Sequence, residues 1–65
     1  MRLNELYKKV ISSGYEVNWL GSVERDAPWH SVQPEYVDEF LETEGNREVY
    51  DYAYHNTYRI LIVKF

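Results

Sequence analysis

Four consecutive apolar residues, Ile60-Leu61-Ile62-Val63, constrain this chain more than any other feature. Three of the four are β-branched. A short apolar run without polar alternation suits a central strand buried on both faces. The segment Thr57–Phe65 is therefore expected to be a strand inside a sheet. Just upstream, Glu48-Val49-Tyr50-Asp51-Tyr52-Ala53-Tyr54 alternates as a second strand, with His55-Asn56 as a two-residue hairpin turn. That turn would put Tyr50, Tyr52 and Tyr54 on one face with Arg59, Leu61 and Val63. The opposite face would carry Val49, Ala53, Tyr58, Ile60 and Ile62. A third strand is expected at Tyr15–Trp19, which alternates with period two and ends at Gly21-Ser22. Residues 21–33 show no clean period and read as a long irregular connection, pinned in part by Val23 and Trp29.

Two helices complete the chain. Leu3, Leu6, Tyr7, Val10 and Ile11 recur at helical spacing, which predicts a helix over 4–13 with Asn4 as its cap and Gly14 just beyond its end. Pro34 is suited to a first helical position. Val37, Phe40 and Leu41, with Tyr36 at the margin, make an apolar face, and Gly45 is the stop, so a second helix is expected over 34–44. The fold class is thus α+β in the order α-β-α-β-β. The expected architecture is one compact domain over 1–65, a three-stranded, mainly antiparallel sheet with both helices on one face.

A single core of this size yields only about 3–5 kcal/mol, and small proteins usually add disulfides, a metal or a partner. The chain has no cysteine, which removes the first of these and all thiolate ligands. It has seven Tyr and two Trp against two Phe. Tyr and Trp carry a large ring with a polar tip, which suits either a small core or a half-wet interface.

The formal net charge is −4. An acidic domain gains nothing from counterion release on nucleic acid, nor from anionic lipid, so both partners are disfavoured. No apolar stretch approaches the length of a membrane span, and the first residues have no apolar signal-peptide region. The expectation is a cytoplasmic protein in its complete form. The negative charge concentrates in the second helix. Glu35, Asp38, Glu39, Glu42 and Glu44 lie between residues 35 and 46 without a Lys or Arg. Such a row is a solvated helix face or a surface for a basic partner.

Chemistry has little footing. There is no GxSxG and no Gly-rich phosphate loop, and each of the three glycines reads as a turn or cap. His30 beside Asp26 is the one candidate acid–base or metal pair, and the two histidines lack metal-ligand spacing. No cofactor is called for. In size and composition the chain resembles the small accessory proteins of bacteria and their phages. The leading expectation is a non-enzymatic interaction protein, an inhibitor or accessory factor. It would bind a protein partner through Glu35, Asp38, Glu39 and Glu42 on the acidic helix edge, with Tyr50, Tyr52, Tyr54 and Trp29 as aromatic contacts. The alternatives are a homodimer and a small enzyme or metal site around His30 and Asp26.

Overall fold

The apolar run lies inside a sheet of four strands. A computed structural model describes residues 1–24 and 29–65. Its elements are α1 (Leu3–Ser12), β1 (Trp19–Val23), β2 (His30–Val32), a 3-10 turn (Pro34–Tyr36), α2 (Val37–Glu44), β3 (Asp51–His55) and β4 (Ile60–Lys64). The sheet order is β2-β1-β4-β3. β2 runs antiparallel to β1 and β3 antiparallel to β4, but β1 and β4 are parallel. The sheet is therefore four-stranded and mixed, not three-stranded and mainly antiparallel. Two parallel strands cannot be joined by a tight turn and need a long crossover. Here β2, the 3-10 turn, α2 and β3 all lie between β1 and β4.

The first strand lies four residues later than its alternation suggests. Tyr15 and Val17 sit outside the sheet. Gly21 and Ser22, expected to end a strand, lie in the middle of β1, paired with Ile62 and Val63. β2 occupies part of the stretch expected to be irregular. The hairpin loop is four residues, Asn56–Arg59, because His55 pairs with Ile60. Two extra residues leave the face assignment unchanged, since only an odd slip exchanges faces. Arg59 closes the loop with φ of 55°, a left-handed conformation that is costly for a side chain with a Cβ.

Side chains alternate along each strand, so the register sorts the sheet into two faces. Leu20, Leu61, Val32 and Val63 share one. They join Leu3 and Leu6 of α1, Val37 of α2 and Val49 in one buried cluster, so both helices cover this face. Burying each such side chain contributes about 1.5–3 kcal/mol. The other face carries Trp19, Gly21, Ser31, Ala53, Ile60 and Ile62. No helix covers it. Ile60 and Ile62 are only half-buried, so the central strand is fully enclosed on one side alone.

α1 begins at Leu3, and Asn4 is not its cap. The first backbone N–H groups are satisfied by the chain after α2. Leu3 donates to the Arg47 carbonyl at 3.0 Å and Asn4 to the Gly45 carbonyl at 2.9 Å. Gly45 has ordinary helical dihedrals. Its use is close approach, since a Cβ there would lie 2.2 Å from the Asn4 side chain. Gly14 does have the positive φ expected past a helix end, 93°.

Candidate protein-binding surfaces

Among the described residues the fully buried core is built from Leu and Val. None of the eleven aromatic rings belongs to it. Tyr7, Phe40, Tyr54 and Phe65 pack against its margin. Tyr15, Trp19, Trp29, Tyr36, Tyr50, Tyr52 and Tyr58 are exposed. The rings therefore do not fill a small core. They are distributed over three surfaces.

The first surface is a groove between α2 and β2. It has a volume of about 390 Å3 and is lined by His30, Ser31, Val32 and Gln33 on one side and Tyr36, Glu39, Phe40 and Thr43 on the other. The strand supplies consecutive residues. The helical side supplies residues spaced i, i+3, i+4 and i+7, which is one face of a helix. The His30 ring stacks on Phe40 with centroids 6.5 Å apart.

The second surface lies between α1 and β3. Leu6, Lys9, Val10 and Ser13 face Tyr15, Tyr52, Tyr54 and Asn56 across about 490 Å3. Tyr52 and Tyr54 share the helix-covered face with Val63 and Leu61. They do not stand on the helix-free side. Tyr54 is also committed to structure. Its hydroxyl donates to the Glu16 carbonyl, and its ring lies 5.0 Å from that of Tyr15. Tyr50 precedes β3 and is 72% exposed.

The third surface is the helix-free face. Trp29 lies there against Gly21, whose absent Cβ would be 2.5 Å from the ring. The ring is 50% exposed. It caps the sheet rather than pinning a loop to the buried core. Asp51 and Lys64 pair at one end of the face at 3.7 Å.

The acidic residues do not form one edge with the tyrosines. α2 lies by β2, and the tyrosines stand at β3, at the other side of a four-strand sheet. With strands about 4.8 Å apart, roughly 14 Å separates the two edges. Within α2 the acids diverge as well. Asp38 faces α1, where burial and then its negative charge raise the Tyr7 hydroxyl above its ordinary value of 10.0. Glu44 is drawn to Arg47 at 3.8 Å, and Arg47 also pairs with Glu24 and covers the Phe65 ring at 4.0 Å. Glu39 lines the first groove, while Glu35 and Glu42 are exposed. Among the described residues no ion pair involves Glu35, Asp38, Glu39 or Glu42.

His30 belongs to this groove and not to an acid–base pair within the described residues. Arg25, Asp26, Ala27 and Pro28 lie outside them, so the Asp26 partner expected for His30 does too. Among the described residues no group of three or more His, Asp or Glu is placed to hold a metal. No described helix is long and apolar enough to cross a membrane. His30, Tyr36, Phe40 and Thr43 were not evident as one site. The helical spacing of Tyr36, Glu39, Phe40 and Thr43 was the available signal, but its partner strand was not recognisable. Comparisons of the chain with known families, with curated proteins and with solved structures find no match.

Proposed function

We propose that this chain is a non-enzymatic protein-interaction domain, acting as an accessory or inhibitory factor through the acidic side of α2. One observation carries the reading. A chain that must build a core from few residues leaves its largest rings outside it or at its margin, with Tyr36, Phe40 and His30 set beside carboxylates that no described cation pairs. Aromatic residues contribute most at the centre of interfaces, and an unpaired acidic rim favours encounter with a basic partner. Capture on the tagged chain from lysate of the source organism tests this, with Glu39→Lys/Glu42→Lys alongside. The expected result is a stoichiometric basic partner that the variant loses. Equal capture by both removes the acidic side from the account.

A second reading is self-association through the helix-free face, favoured by Trp19, Trp29, Ile60 and Ile62 on a surface whose Asp51 and Lys64 charges cancel. Two copies stacked this way would hold their acidic helices outward and far apart. A monomeric mass at millimolar concentration in sedimentation equilibrium removes it.

A further inference from the structure

The groove between α2 and β2 has the parts needed to add a strand. Which β2 groups are free follows from the central ladder. The Phe65 N–H donates to the Val23 carbonyl at 3.0 Å, and the Trp19 N–H donates to the Arg59 carbonyl at 3.3 Å. Trp19, Gly21 and Val23 therefore aim their backbone groups at β4. By alternation, Leu20 and Ser22 aim theirs at β2, where they meet Val32 and His30. Ser31 is left with its N–H and C=O pointing away from the sheet. Among the described residues nothing pairs with them. On the opposite edge the outward N–H of Tyr52 is taken by the Asp51 carboxylate at 2.9 Å, and the Tyr15 ring lies against that of Tyr54 in the groove beside α1. What singles out the β2 edge is the groove that α2 forms beside it, with Glu39 in its wall.

We infer that this groove binds an extended segment of a partner protein by strand addition to β2, with a Lys or Arg at Glu39. The inference rests on the interaction-domain reading above and names its partner chemistry. Main-chain bonds to Ser31 would supply affinity, and alternate side chains would supply selectivity. Residues on the helix side of the added strand recur about every 6.7 Å. Tyr36 and Glu39 are one helical turn apart. A segment with an apolar side chain against Tyr36 and Phe40 thus places its Lys or Arg two residues away, within reach of Glu39. Glu35, a turn earlier and exposed, extends the acidic wall. The charge complementarity is one-sided, since among the described residues no Lys or Arg lines the groove.

The test uses the full chain and a randomised decapeptide library displayed on beads. The expected consensus has Lys or Arg two positions from an apolar residue. Glu39→Lys should weaken the synthetic consensus peptide about tenfold or more, and Ser31→Pro should do likewise, since Pro removes only an outward N–H. Because a loss on Ser31→Pro can also come from disturbed folding, the peptide is also N-methylated one position at a time. Losses should recur with period two. Losses without that period, or an acidic or helix-patterned consensus, overturn strand addition. No consensus, with a lysate partner still lost on charge reversal, overturns strand addition alone. No consensus and no such partner overturns both readings.

Discussion

Gly21 sits in the middle of β1 with the Trp29 ring laid on it, and the sign of its substitution depends on that ring. A Cβ at this position would lie 2.5, 2.7 and 3.3 Å from three ring atoms, where about 3.5–4.0 Å is comfortable. The backbone is held on both sides by ladders, so the half-exposed ring is what moves. The half-exposed ring has about 100 Å2 in contact, and lifting it off loses about 2.5 kcal/mol at 25 cal/mol per Å2. Alanine recovers about 0.5–1 kcal/mol over glycine in a strand. Gly21→Ala should therefore destabilise the domain by about 1.5–2 kcal/mol. In a Trp29→Ala background the clash is gone, and the same change should stabilise by about 0.5–1 kcal/mol. Urea unfolding of the four members of this cycle measures both numbers. With Trp19 replaced by Phe, the remaining indole emission should shift red on Gly21→Ala. The same sign in both backgrounds would refute the seating of Trp29 on Gly21.

Other consequences are as direct. Leu61 is fully buried at the centre of the sheet, so Leu61→Ala should cost about 2–5 kcal/mol and leave the chain largely unfolded at 25 °C by circular dichroism. Tyr54→Phe should cost about 0.5–1.5 kcal/mol by removing the bond to the Glu16 carbonyl, with faster amide exchange over residues 15–18 as the local sign. Arg59→Gly should raise stability by about 0.5 kcal/mol in thermal melts, because relief of the left-handed strain outweighs an exposed ion pair to Glu16 and the glycine entropy. The raised Tyr7 value stabilises the fold below its ordinary 10.0, and that contribution is lost as pH climbs through the higher folded value. Tyr7→Phe should accordingly flatten the alkaline fall in stability, and equal slopes for both proteins would refute the raised Tyr7 value.

How far the sequence could be read depended on whether local pattern or tertiary partner decided each element. Both helices were legible, because Leu3, Leu6 and Val37 repeat at a spacing that only a helix buries on one side. β4 was legible because its apolar run leaves little else for it to be. β1 was misplaced because Tyr15 and Val17 alternate as a strand would, yet they serve the edge of the core in irregular chain. Gly21 looked like a terminator and is a seat for a ring. β2 has three residues, too few for a period to show, and without it neither the sheet order nor the groove beside α2 could be assembled. The parallel pairing of β1 and β4 leaves no local signal at all. Tyr52 and Tyr54 share a face as expected, while Tyr50 precedes the strand. Which face the helices covered was a matter of packing that alternation does not encode.

The centre of this sheet is made of segments that are distant in the chain, residues 19–23 and 60–64. During synthesis the first half emerges with its inner strand edge unpaired, and β3 follows with nothing to rest on. Only when the final strand appears can β1 and β3 be joined, since β4 lies between them. The domain therefore has no stable half and no natural stopping point. It stays exposed to proteases and to its own hydrophobic strands until β4 is available, and then closes in one cooperative step.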